Sequence, residues 1–340
     1  MRSSGSNFIH RLLNWEYWPW YVVYFPVFLY WVWLSVKARS PFFFVAANPM
    51  MKNGGFVGTS KSEILSHLPP HLVPRTIVCN VDTPPEKIKY KMLSQDISFP
   101  IIAKPDCGER GKGVARLSNH QQLSDYQQST SAAWLVQEYI DWPVEAGVFY
   151  CRRPDDEKGM VTSLVIKEML HVTGDGFSTL KQLIFANARA KLQWHRLKEE
   201  YSAQIDMILP ENQKLELVSI GNHCRGTKFI NGNHLISPLL TASFDEISQQ
   251  VDGFYYGRYD VKAKSFDALA KGEVKIMELN GAASEPAHIY HPGFSLREAY
   301  KVLFHHWDML YTIGSTNHSN GFRYPSWRYA RQEYIRIKRL

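Results

Sequence analysis

Two short stretches carry the residues best able to do chemistry. In "YYGRYD" (255–260) and "VKIMELNG" (274–281), polar side chains interrupt runs that read as strands. Arg258 and Asp260 are two apart, and so are Glu278 and Asn280. Side chains at i and i+2 share one face of an extended chain, so each stretch aims two polar groups the same way. Two carboxylates and an amide oxygen on adjacent strands make a hard oxygen site suited to Mg²⁺, an ion that bridges nucleotide phosphates. An arginine on that face could neutralise charge developing on a transferring phosphoryl or acyl centre. A solvated face with a salt bridge would give one such strand. A second strand with the matching pattern favours a site.

Upstream, "FPIIAKP" (99–105) reads as a strand that runs into the glycine loop "DCGERGKGV" (106–114). Gly108, Gly111 and Gly113 let successive backbone N–H groups turn toward one anion, and Lys104 adds a charge at the strand's end. Alone, such a loop is more often an ordinary hairpin. Around it the pattern is α+β. "PFFFVAA" (41–47) and "RTIVCN" (75–80) read as strands, and "SKSEILSHLPP" (60–70) as a short helix stopped by Pro69. "SNHQQLSDYQQ" (118–128) reads as a helix, and 133–140, 145–152 and 160–170 alternate as antiparallel strands do. Residues 178–192 have helical spacing, and "SFDEI" (243–247) and "SLREA" (295–299) read as capping boxes that start later helices.

At 340 residues and 45% hydrophobic composition, the chain can bury a large core in two or three subdomains. Its net charge of +7 is uneven: residues 322–340 hold six Lys/Arg and one Glu, leaving a near-balanced +2 elsewhere. That argues only weakly for nucleic acid, which is not expected as a partner, and better for a local anionic surface, or else a solvated helix end. Cys79, Cys107, Cys151 and Cys224 show no metal-ligand spacing and suit a reducing compartment. Residues 17–36 are uncharged, with ten aromatic residues and two prolines. The run could just span a bilayer. However, Pro26 is expected to break a helix near its middle, and Trp and Tyr prefer the interface. A monotopic or re-entrant anchor is therefore favoured over a full span, with a buried hairpin as the soluble alternative. Arg11, Lys37 and Arg39 flank the run and could reach headgroups.

The order Lys61, Lys104 with its glycine loop, "VQEYI", "GRYD" and "ELNG" resembles the ATP-grasp superfamily. The G-R-x-D and E-x-N strands resemble those of D-alanine–D-alanine ligases, and "HVTGDGFSTLKQLI" (171–184) is similar to a segment of cyanophycin and glutathione synthetase relatives. The resemblance covers about residues 48–291. It implies an α+β ATP-grasp fold: an abbreviated pre-grasp region (41–98), an N-lobe (99–170) and a C-lobe with the metal site (171–321), flanked by a membrane-associated segment (1–40) and a basic tail (322–340). It also implies roles. Lys61 and Lys104 would hold the ATP phosphates, with Gly108, Gly111 and Gly113 closing over them. Glu138 and the backbone of Tyr139 and Ile140 would read the adenine edge, and Glu145 the ribose. Asp260, Glu278 and Asn280 would bind Mg²⁺, with Mn²⁺ able to substitute, and Arg258 would stabilise the reacting centre.

After Asn280, "GAASEPAHIYHP" departs from the serine-containing loop that grips the second D-alanine in those ligases, so D-alanine is not expected as substrate. Lys167, Arg225 and Lys228 are surplus cations for an anionic substrate, Lys228 reading better as solvated, and His288, Tyr290 and His291 are candidates for acceptor binding. The expected activity is ATP-dependent ligation: a carboxylate becomes an acyl-phosphate, and an amine or a hydroxyl displaces phosphate. The alternatives are an ATP-grasp kinase and a non-catalytic nucleotide-binding membrane scaffold. The expected partners are those two substrates, the acceptor a lipid or lipid-linked precursor, and an anionic membrane surface. The expected location is the cytoplasmic face of the cell membrane.

Overall fold

The computed structural model describes residues 15–108, 111–218, 221 and 226–338. Among them, two antiparallel sheets dominate. The first has strand order β1 (Thr76–Cys79), β4 (Trp134–Glu138), β2 (Ile101–Pro105), β3 (Ala115–Leu117). The second runs β11 (Val274–Asn280), β10 (Tyr256–Ala263), β5 (Val144–Cys151), β6 (Met160–Glu168), β9 (Lys228–Asn231). The fold class is α+β, as the alternation of the segments implies. Strand β5 pairs with β10 and β6, and β6 with β9, so residues 144–168, expected in the N-lobe, lie in the second sheet with β10 and β11. The chain changes sheets between Glu138 and Val144, and β1, from the expected pre-grasp region, joins the first sheet.

Each sheet buries one face by alternation. On the first, Ile77, Ile101, Ala103, Trp134 and Val136 pack with Ile88 and Met92 of the helix Pro85–Ser94. On the second, Val148, Tyr259, Val261 and Ile276 pack with Phe244 and Ile247 of the helix Pro238–Gln249. That helix starts at Ser237, not at Ser243 as expected, because Ser237 caps Leu240 N and Pro238 fits the first turn. Ser295 does cap the long helix Leu296–Ser319. The charged stretch 185–214 folds into short helices around a satellite core of Leu170, Leu180, Leu197, Leu209 and Leu217, beside the pair β7 (His171–Thr173) and β8 (Lys214–Glu216).

The aromatic run forms one helix, Trp20–Ala38, which continues through Pro26 instead of breaking there. Pro26 removes a single ladder bond, and the burial of Val23, Val27 and Leu34 outweighs that loss. The helix lies along the long helix, where Tyr30 Oη donates to Asp308 Oδ1 at 2.6 Å. It is long and apolar enough to cross a membrane, by length and composition. Residues 43–47, expected as strand, form a 3-10 turn packed into a cluster with Leu34, Leu310 and Ile313. A short buried apolar run has no period that separates the two outcomes.

Asn48 then ties this N-terminal layer to β10. Fully buried, its Nδ2 donates to Tyr256 O at 2.8 Å and Gly54 O at 3.1 Å, while its Oδ1 accepts from the backbone N–H of Tyr255 and Tyr256. Asn48→Ala removes four hydrogen bonds at one point, three of them buried, and should destabilise the fold by about 3 kcal/mol. A denaturant midpoint equal to that of the parent protein, at unchanged slope, would contradict this.

Candidate active site

The two sheets meet at a buried lysine. Lys104 leaves the end of β2 on the face opposite the first core, and its Nζ donates to Gln137 Oε1 at 2.9 Å. The same Nζ reaches Met277 O on β11 at 3.1 Å. That carbonyl is available because β11 carries a bulge: Asp260 pairs with Glu278 but Val261 with Ile276, leaving Met277 unmatched. Burial pushes the Lys104 ammonium down to about 8, against the opposing pull of Glu278. The bulge also shifts the alternation, so Ile276 and Leu279 both enter the core while Glu278 and Asn280 face the lysine side.

Asp260 stands opposite Glu278, and Arg258 opposite Asn280, which brings the two opening stretches together as their spacing predicts. Asp260 is only 8% exposed. Arg258 grips it with Nε to Oδ1 at 3.1 Å and Nη2 to Oδ2 at 3.2 Å. Lys167 Nζ lies 3.3 Å from Oδ1, and Asn280 Nδ2 donates to Oδ2 at 3.1 Å. Burial would raise the carboxyl, but Arg258 and then Lys167 hold it down to about 2. Lys167 also pairs with Glu145 at 3.3 Å, and Lys262 approaches Glu145 at 3.7 Å. The result is a buried polar floor of alternating charge.

Gly147 makes this floor possible. It lies opposite Asp260 on β5, and a Cβ there would sit 2.8 Å from Val165 Cγ1 and 3.0 Å from Arg258 Cδ. In the phosphate-loop candidate, Gly113 has φ +73°, and a Cβ would meet Pro105 Cγ at 2.8 Å, so glycine is required on both counts. Lys61 Nζ donates to Gly108 O at 2.6 Å, placing both at that loop. Glu109 and Arg110 lie outside the described residues, as does Arg225.

The remaining candidates divide. Tyr139 occupies the link between the sheets, with Arg116 Cζ 4.2 Å from its ring centroid and Lys262 Nζ 5.4 Å away. Glu138 is turned to the far face of β4, where Arg75 Nη2 holds Oε1 at 2.8 Å. Its carboxylate is taken, so any reading of an adenine edge falls to the backbone of Tyr139 and Ile140. Gln137, one residue earlier and fully buried, is the β4 side chain that faces Lys104. Neither Gln137 nor the Met277 carbonyl follows from residue spacing; pairing Lys104 with Leu135 across the ladder is what reveals Gln137. His288 is buried, bonded through Nδ1 to Ser163 Oγ at 2.6 Å, and burial pushes it down to about 4. Through that bond it ties the loop after β11 to β6. His291 Nδ1 likewise accepts from Asn231 N at 3.2 Å, and Lys228 pairs at the surface with Glu168.

Residues 65–145 match the tubulin-tyrosine ligase family. This match, to a family of ATP-grasp-like ligases, agrees with the motif resemblance and spans β1 to the start of β5. No curated protein matches the chain. Among solved structures, the VanG D-Ala:D-Ser ligase of Enterococcus faecalis is 15% identical, with a TM-score of 0.42 covering 74% of this chain and 61% of the ligase. The D-alanine–D-alanine ligase of Bacillus anthracis is 12% identical, with a TM-score of 0.41 covering 77% and 69%. The bifunctional glutathione synthetase of Pasteurella multocida is 15% identical, with a TM-score of 0.37, and this chain spans only 38% of its length.

Gly147→Ala should push against Val165 and Arg258 and cost about 1–3 kcal/mol. Adding Val165→Ala should return part of that stability in urea melts. A double variant no more stable than the single one would place the strain elsewhere.

Proposed function

We propose that the chain is an ATP-dependent, ADP-forming ligase. It activates a carboxylate as an acyl-phosphate and passes the acyl group to an amine or hydroxyl acceptor at a membrane surface. The observation that carries this reading is the junction itself: Lys104 bridges the sheets beside Glu278, and Asp260 and Asn280 share that face with Arg258. Cations and carboxylates segregated in this way fit a polyphosphate bound with a divalent ion. The match of residues 65–145 to a family named for a ligase supports it further.

The donor set fits Mg²⁺, or Mn²⁺ in its place. Among the described residues no three His, Cys, Asp or Glu side chains gather into a closed metal cage. Two carboxylates and an amide leave coordination places for phosphate oxygens and water, which is how Mg²⁺ is commonly held. Asp260, Glu278 and Asn280 would hold it, and when bound it neutralises charge on the phosphates. Asp260 is ionised throughout the working range, as a ligand must be. The Lys104 Nζ then pairs with phosphate in place of the Gln137 amide oxygen. Arg258 and Lys167, which hold Asp260 here, are placed to hold the carboxylate donor and the charge of its tetrahedral adduct. The Glu285 carbonyl, which accepts from Arg258 Nη1 at 3.2 Å, keeps the guanidinium oriented.

Asp260→Asn and Glu278→Gln should each lower Mg²⁺-dependent ADP release by about a hundredfold or more while the protein stays folded. Product analysis with ATP and cell extract should give ADP and phosphate with a ligated product; a stable phosphorylated product would point to a kinase. Unaltered ADP release from both variants would remove the metal assignment. The Lys104 ammonium is the form that pairs with phosphate, and it is lost as pH rises through about 8. ATP affinity measured by calorimetry should therefore fall between about pH 7 and pH 9, by up to about tenfold per unit above the Lys104 value. A flat profile, or Lys104→Ala with unchanged affinity, would take Lys104 out of the phosphate site.

A further inference from the structure

We infer that the helix Trp20–Ala38 docks side-on against an anionic lipid surface, as a monotopic element that does not cross the bilayer. The helix has two unlike faces. Val23, Val27 and Leu34 are buried on one of them, and Tyr30 joins Asp308 on the long helix there. Tyr24 Oη, on the same side, lies 2.8 Å from Tyr290 Oη, which in turn donates to Glu285 Oε2 at 2.7 Å. On the other face Tyr21, Phe25, Phe28, Leu29, Val32 and Val36 stand exposed at helical spacing, Phe25 at 60% and Val36 at 73%. Crossing a bilayer would strip the inner face from the long helix and leave Asp308 and Glu285 without those partners. Lying flat removes only the outer face from water, at no cost to the fold.

Composition and charge select the occupant. The exposed stripe carries no ion and is rich in aromatic rings, which favour the headgroup boundary. Lys37 lies at the helix's last turn, 4.8 Å from the Trp33 ring centroid. The amphipathic helix Trp327–Ile337 meets the same layer, where Trp327 is 4.9 Å from Phe42 and 72% exposed. Arg328 and Arg331 on this helix, and Lys338 just after it, are also exposed. An apolar stripe beside a basic helix matches an anionic leaflet, whereas a second copy of the chain would set like charges against each other. The outer face lies outside the candidate active site, so docking is read without substrate and stands apart from the ligase reading.

The test is sedimentation of the full chain with vesicles of phosphatidylcholine alone and with about 30% phosphatidylserine. Binding to both is expected, stronger with the anionic lipid, and high salt should remove only that excess. Phe25→Ser with Phe28→Ser and Leu29→Ser should weaken vesicle binding by about tenfold or more, with an unchanged far-UV circular dichroism spectrum and melting transition as the folding control. Should that triple variant misfold, Val32→Ser with Val36→Ser serves the same purpose at the far end of the stripe. Tryptophan quenching by brominated lipids should be strongest for shallow bromines. Full-length protein that ignores both vesicles would overturn the inference. So would quenching greatest at the bilayer centre, or a dimer that the serine substitutions dissolve without any vesicle binding by the parent.

Discussion

A carboxylate ion buried in a sheet persists only if its neighbours replace the water it has lost. Asp260 is that group here, and much of the architecture follows from its needs. Arg258 reaches it along β10, Lys167 from β6 and Asn280 from β11, so three strands must hold register around one side chain. β5 lies between the two lysine- and aspartate-bearing strands, and only a residue with no side chain opposite Asp260 leaves the space they cross. Asp260 and Glu145, two carboxylates of the floor, therefore both have cationic partners within the sheet.

Part of this was legible from residue order. The two-residue spacings at 258/260 and 278/280 gave the shared face, and the opposition of those pairs across β10 and β11 agrees with it. The α+β class followed from alternation of strand-like and helical segments. Three features lay beyond spacing. The Met277 bulge has no glycine or proline to announce it, yet it alone reconciles a core Ile276 with a core Leu279. Glu138 carried the motif resemblance, but ladder parity sends it to Arg75 and gives Gln137 the inward place. The change of sheet between β4 and β5 was hidden because both strands have the same apolar character and the link between them is short.

The aromatic helix was read from composition as a separate anchor, and the structure makes it part of the domain. Leu34, Phe43 and Phe44 cover Phe149, Cys151 and Tyr256, which lie on the site's own face of the second sheet, one step beyond Arg258. The apolar cover thus ends where the polar floor begins. Its hydrogen-bonded chain through Tyr24, Tyr290 and Glu285 reaches the loop whose backbone orients Arg258. Removing residues 1–40 would consequently take Leu34 from that cover and Tyr24 from its bond to Tyr290 as well as removing any lipid contact, so truncation confounds roles that outer-face substitutions separate.

The bulge at Met277 works as a phase shifter along β11. Upstream of it, even-numbered Val274 and Ile276 point into the core; downstream, odd-numbered Leu279 does. Many side chains would serve at position 277, since the contact that matters is made by its carbonyl. Loss of the residue altogether would leave Ile276 and Glu278 as consecutive partners of Val261 and Asp260, so Glu278, Leu279 and Asn280 would keep their faces while Lys104 would lose the carbonyl it bonds. The extra residue thus serves the lysine contact rather than the register beyond it, a distinction that a one-residue deletion at 277 would expose and substitution scanning would not.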